Sequence, residues 1–144
     1  MFSEKQSTSY TCGPTCLRMC AAELLHKRIT PHNANTLTDT TPNGTYWSRL
    51  KLGFRKAGMQ VCRIYDSTAE HWNYWLDKGY YLVVLDDINY REGHTLTVCR
   101  KGIKTYTAYD PSTGKRVRLY KDNMLKAAGM YAFAVCAKSR KNVQ

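Results

Sequence analysis

One cysteine in this chain stands where a thiol becomes a nucleophile. Cys12 opens the segment Cys12-Gly13-Pro14-Thr15-Cys16-Leu17, at the predicted start of a helix. The unpaired N–H groups and the dipole of a helix N-terminus favour an anion, so a thiol there should ionise more readily than usual. A cysteine heading a core helix can equally be a small buried apolar residue. Cys16 and Cys20 fit that second description, since they follow at four-residue steps down the same predicted helical face.

A thiol nucleophile needs a base, and the base needs a group to orient it. The chain has four histidines. His26 closes a basic helix end, His32 lies in a polar stretch, and His71 falls at a solvent-facing helix start. His94 differs, because it opens a predicted strand directly after Arg91-Glu92-Gly93. If the following hairpin turns on Gly102, His94 lies across from Asp110, with the two Cβ atoms about 5 Å apart. Asp110 could then hold the ring through Nδ1–H, fix its tautomer and leave Nε2 for the thiol. A one-residue slip of register would break that pairing. Asp110-Pro111-Ser112 also reads as the start of a turn, and both readings can hold. Gln6, six residues before Cys12, could join the Cys12 backbone N–H as a second oxyanion donor. The competing reading of Gln6 is an exposed polar side chain.

The elements that must position these groups follow from periodicity and turn residues. Residues 13–28 predict a helix, with Pro14 in its first turn and Leu17, Cys20 and Leu24 in an apolar stripe. Residues 30–44, rich in Thr, Asn, Pro and Gly, predict a long polar loop. A second helix is expected over 45–57, with Trp47, Leu50 and Phe54 on one side and Gly58 as its stop. Residues 59–65 alternate as a strand. Ser67-Thr68-Ala69-Glu70 has the capping-box pattern and opens a short helix to Leu76. The apolar run 80–86 predicts a buried strand. Strands are expected at 94–100, 104–110, 115–120 and 130–137, with a short helix at 122–128. Helices first, then a mostly antiparallel sheet with a helical insertion, give an α+β fold.

Length and composition bound the rest. At 144 residues the chain is about one domain's worth, expected as a single unit over 1–144. Its 43% hydrophobic and 23% charged content is that of a globular protein, not of a disordered or membrane-embedded one. No N-terminal apolar segment reads as a secretory signal and no run is long enough to span a bilayer. A reducing, cytoplasmic setting with six free thiols is therefore expected. No Cys-x-x-Cys pair marks a zinc site, and no cofactor is called for. The net charge of +11 favours an acidic partner or nucleic acid, or simply a solvated surface. No Walker-type loop or aromatic RNA-binding signature supports the nucleic-acid reading.

Taken together, Gln6, Cys12-Gly13-Pro14-Thr15-Cys16-Leu17, Gly93-His94-Thr95-Leu96-Thr97-Val98 and Tyr109-Asp110-Pro111 resemble the C39 peptidase-like branch of the papain-like cysteine proteases. That branch is best known for bacteriocin-processing domains that cut after double-glycine leaders. Thr40-Thr41-Pro42-Asn43-Gly44-Thr45 before a helix and Trp75-Leu76-Asp77-Lys78-Gly79 before an apolar strand extend the resemblance over nearly the whole chain. It implies a papain-like fold and a thiol peptidase acting on a polypeptide. Cys12 would be the nucleophile, His94 the base, Asp110 its orienting group and Gln6 the oxyanion donor. The absence of a following transporter domain departs from the leader peptidases and suggests a free-standing bacterial or bacteriophage protein. The scaffold also admits other acyl transfers, in an amidase, a deconjugating enzyme or a transglutaminase-like enzyme, and non-catalytic structural or nucleic-acid-associated roles.

Overall fold

A computed structural model describes residues 11–86, 94–129 and 131–138. Five helices and six strands are described, in the order α1 (Cys12–Leu25), α2 (Pro31–Leu37), α3 (Trp47–Lys56), β1 (Met59–Ile64), α4 (Ala69–Asp77), β2 (Tyr81–Asp86), β3 (His94–Lys101), β4 (Thr105–Asp110), β5 (Lys115–Tyr120), α5 (Lys121–Ala128) and β6 (Ala132–Ala137). The strands form one sheet in the order β1-β6-β2-β3-β4-β5. Each neighbouring pair is antiparallel. The last strand in sequence therefore sits between the first two.

Alternation along the strands feeds two cores, one on each face of the sheet. Helices α1, α2 and α3 cover one face, burying Leu17, Met19, Phe54, Val83, Phe133 and Val135. Phe54 and Trp47 meet Phe133 edge-on, with ring centroids 5.2 and 5.1 Å apart. Helices α4 and α5 cover the other face, where Trp72, Leu82, Val84, Leu96, Tyr106 and Met124 are buried. Burying each large apolar side chain stabilises the fold by about 1.5–3 kcal/mol relative to leaving it exposed.

The helix ends show what local sequence decides. Helix α1 stops at Leu25, short of the predicted basic end, because His26 takes the left-handed conformation (φ 52°). Its turn is closed by Lys27 N–H donating to the Ala21 carbonyl at 3.2 Å. Residues 31–37, expected as loop, instead form α2. Thr30 caps it by accepting from Asn33 N–H at 3.1 Å, and Pro31 occupies the first turn. Only Ala34 of this helix is buried, so there is no apolar stripe to announce it. Helix α4 is capped by Thr68, which accepts from His71 N–H at 3.2 Å. The capping-box reading placed that cap one residue earlier, at Ser67. Gly58 follows α3 at φ +104°, a conformation that side chains with a Cβ rarely adopt, and ends the helix as expected.

Candidate active site

Three elements converge on one end of the sheet. Cys12 is the first residue of α1, His94 the first of β3 and Asp110 the last of β4. Helix α1 is seated by its own second residue. A Cβ on Gly13 would lie 3.1 Å from Leu50 Cδ1, with Thr45 Oγ1 at 3.7 Å, so glycine lets the helix start press against α3 and the loop before it. That loop is tied by hydroxyl contacts linking Thr38, Thr40 and Thr45. Thr15 fixes the first turn by donating its hydroxyl to the Thr11 carbonyl at 2.7 Å.

The hairpin register differs from the sequence-based expectation. Thr97 pairs with Tyr109 and Val98 with Ala108, and the register then shifts at a bulge between Val98 and Arg100. Near the site the pairing is two residues away from a turn centred on Gly102. A two-residue displacement keeps side chains on the same face, whereas a displacement by one would not. His94 and Asp110 are thus diagonal neighbours, not directly opposed residues, and their side chains still meet. His94 Nε2 lies 2.5 Å from Asp110 Oδ1. The ring is therefore turned the other way from the expectation. Asp110 holds Nε2, and Nδ1 is the nitrogen left for the thiol.

Both members of this pair are nearly fully buried. Asp110 is itself fixed by the turn it starts. Ser112 donates to Asp110 Oδ1 through its backbone N–H at 2.9 Å and its hydroxyl at 2.7 Å. Gly114 N–H closes the turn onto the Asp110 carbonyl at 2.8 Å. The strand-end and turn-start readings of Asp110 hold together.

The thiol and the ring shift each other's ionisation. Burial pushes the Cys12 thiol up, but hydrogen bonds from the His94 ring and from the backbone and hydroxyl of Thr95 outweigh it, and the net shift is downward. Burial pulls the His94 ring down, but its hydrogen bonds to Asp110 and Cys12 lift it to about 9. A thiolate and an imidazolium are the natural resting forms of such a pair. Cys16 and Cys20 behave differently. Burial pushes Cys16 well up and Cys20 to about 12. Cys16 donates its S–H to the Thr95 carbonyl at 3.5 Å, bracing the strand beside the site.

The structure thus brings Cys12, His94 and Asp110 together, while Gln6 lies outside the described residues, as do Arg91, Glu92 and Gly93 before His94. Sequence reasoning passed over Thr95 and Ser112. The turn reading of Asp110-Pro111-Ser112 held the signal for Ser112, since a serine two residues after an aspartate readily donates back to it. Nothing in the residue types singled out Thr95.

The peptidase C39 family model matches residues 2–135. The chain belongs to the peptidase C39 family. It is a cysteine peptidase. Among solved structures, the C39 fold here is similar to the peptidase domain of Streptococcus ComA, a bi-functional ABC transporter involved in quorum sensing. That match has 20% identity and a TM-score of 0.80, covering 96% of this chain and 100% of that one. A C39-like peptidase from Bacillus anthracis superposes with a TM-score of 0.77 at 11% identity, over 95% of this chain and 94% of that one. A double glycine motif protease from an AMS/PCAT transporter, solved with its leader peptide, gives 0.72 at 14% identity over 93% and 88%. No curated protein sequence matches the chain. The C39 architecture, helices on a six-stranded antiparallel sheet, is the papain-like fold that the resemblance implied. Among the described residues, no helix is long and apolar enough to cross a membrane.

Proposed function

We propose that this C39 peptidase hydrolyses peptide bonds with Cys12 as nucleophile, His94 as acid and base, and Asp110 as the residue that orients His94. The observation that carries this reading is the continuous chain of contacts from the Cys12 thiol through the His94 ring to Asp110. The Cys12 thiolate attacks the scissile carbonyl carbon. The oxyanion formed falls at the N-terminus of α1, where the Cys12 backbone N–H and the Gln6 side-chain amide are the donors we assign. His94 gives its Nδ1 proton to the leaving amine as the C–N bond breaks, leaving a thioester on Cys12. His94 then takes a proton from water, whose oxygen attacks the thioester and releases the acid and the thiol. Asp110 keeps the ring facing the sulfur throughout and stabilises its protonated form.

The substrate we assign is a polypeptide cut after a double-glycine sequence. Support for that comes from the similarity to a double glycine motif protease. Labelling with a thiol-directed active-site probe tests the nucleophile. Cys12→Ala should abolish labelling and Cys16→Ala should leave most of it. Equal labelling of the two variants would overturn the assignment.

A further inference from the structure

Helix α1 packs on β3, β6 and β1, while α5 lies against β4 and β5 from the opposite side. Among the described residues, no helix packs extensively on the α1 side of β4 and β5. Register defines what stands there, because paired residues share a face. Arg116 pairs with Tyr109, Arg118 with Thr107 and Tyr120 with Thr105. Tyr109 belongs to the core on the α1 side, so Arg116, Arg118 and Tyr120 stand on that face. Arg100, paired with Thr107 beyond the bulge, joins them. Arg100, Arg116, Arg118 and Tyr120 are all exposed. Arg100 and Arg118 flank Thr107 across three strands, about 10 Å apart on strand spacing.

The charge on this face is one-sided. Of the seven Lys and Arg residues from Leu96 to Lys121, Arg100, Arg116 and Arg118 stand on this face, and the one carboxylate of that stretch, Asp110, is buried. Among the described residues, no ion pair reaches Arg100, Arg116 or Arg118. The row also runs into the active site. Lys115 pairs with Asp110 on the other face of the sheet, and Arg116 follows it on this one, level with the strand end that carries Asp110. The Arg116 guanidinium lies over the Tyr109 ring at 5.4 Å, one residue before Asp110. A chain held along β5 is led towards Cys12.

We infer that the α1-side face of β4 and β5 is an exosite for an acidic segment of the polypeptide substrate, bound chiefly by Arg100, Arg116 and Arg118. This rests on the peptidase reading above. A polypeptide fits better than a nucleic acid, because single-stranded nucleic acids need successive aromatic platforms. This face offers Tyr120 alone, at 66% exposure, with the buried Tyr109 ring already beneath Arg116. Six residues of β5 span roughly 20 Å. The acidic residues therefore belong within about six positions of the scissile bond, the length of an extended chain over that span.

The test uses the full chain carrying Cys12→Ala, so that binding is read without cleavage. The probes are fluorescein-labelled octaglutamate, octaglutamine and an eight-nucleotide thymidine strand, followed by anisotropy at low and moderate salt. Octaglutamate should bind, octaglutamine should not, and salt should weaken the complex. Arg116→Glu with Arg118→Glu should weaken it about tenfold or more, and the double Gln variant by an intermediate factor. Lys27→Glu with Arg28→Glu makes the same charge change beyond the far end of α1 and should shift affinity less than about twofold. Thermal melts confirm that each variant is folded. Failure to bind octaglutamate, equal weakening by the two charge reversals, or tighter binding of the thymidine strand would each overturn the exosite. None of these outcomes bears on Cys12 labelling, so the peptidase reading stands or falls separately.

Discussion

Cys12 and Cys20 lie on the same helix and the same face, two turns apart, and their thiols are driven in opposite directions. Burial raises both. At Cys12 an imidazole and a threonine answer that burial, and the thiol ends below its ordinary value. At Cys20 the burial goes largely unanswered, and the thiol is pushed up to about 12. Helix geometry repeats the residue, but the strand that meets the helix decides its chemistry. At the first turn that strand presents its own first residues, His94 and Thr95. Deeper in, it presents core.

Replacing either thiol should expose this contrast most strongly. Cys12→Ala should lower peptide hydrolysis by about 10⁴-fold or more, since members of a catalytic unit fail together. Cys20→Ala should leave the rate nearly unchanged and cost about 1–2 kcal/mol of stability in a denaturant melt. A comparable rate loss in both variants would erase the distinction between them.

Asp110→Asn comes next. It keeps the shape but removes the charge that holds the ring as imidazolium. We expect kcat/KM to fall about 10²- to 10⁴-fold with little change in fold. The pH profile sharpens the same point. Activity should rise as Cys12 deprotonates, at a pH lowered from the thiol's ordinary value, and fall as His94 loses its proton near pH 9. In Asp110→Asn that basic limb should move to lower pH, because a partner that raises the ring's pKa has gone. A basic limb that stays in place would show that Asp110 does not control the ring.

The smallest effect is expected at Ser112→Ala, which removes the 2.7 Å hydroxyl bond to Asp110 and leaves the backbone donor. The rate should drop by about tenfold at most, in line with roughly 1 kcal/mol for one hydrogen bond. An unchanged KM with a lower kcat would mark Ser112 as a positioning residue.

Much of this was legible in the sequence because it rests on short-range rules. A proline and small residues after Cys12 read as a helix start, and alternation with turn residues gave every described strand within about two residues, the usual uncertainty of element ends. What was not legible depended on longer-range geometry. The hairpin turns over Gly102–Thr105 instead of on Gly102, the bulge near Cys99 takes back one residue, and the register near the site ends two residues from the expected one, with no residue type to announce either. The orientation of the His94 ring follows from that diagonal approach. Helix α2 was missed because its evidence is a cap and a proline, not an apolar period. The meeting of Cys12 with His94 could be proposed from residue types, but only the packing of α1 against β3 brings it about.

The position of β6 between β1 and β2 has a consequence for how the enzyme comes into being. During synthesis β1 emerges early, yet its strand partner, Ala132–Ala137, is among the last residues described. The sheet cannot close until that segment leaves the ribosome, so pairing waits for contacts far apart in sequence, which form slowly. The β6 residues Phe133 and Val135 also pack in the α1-side core with Cys16, Leu17 and Phe54. The seat of the Cys12 helix is therefore incomplete in the nascent chain. A growing peptidase of this topology stays without a fully seated Cys12 helix until Ala132–Ala137 has left the ribosome.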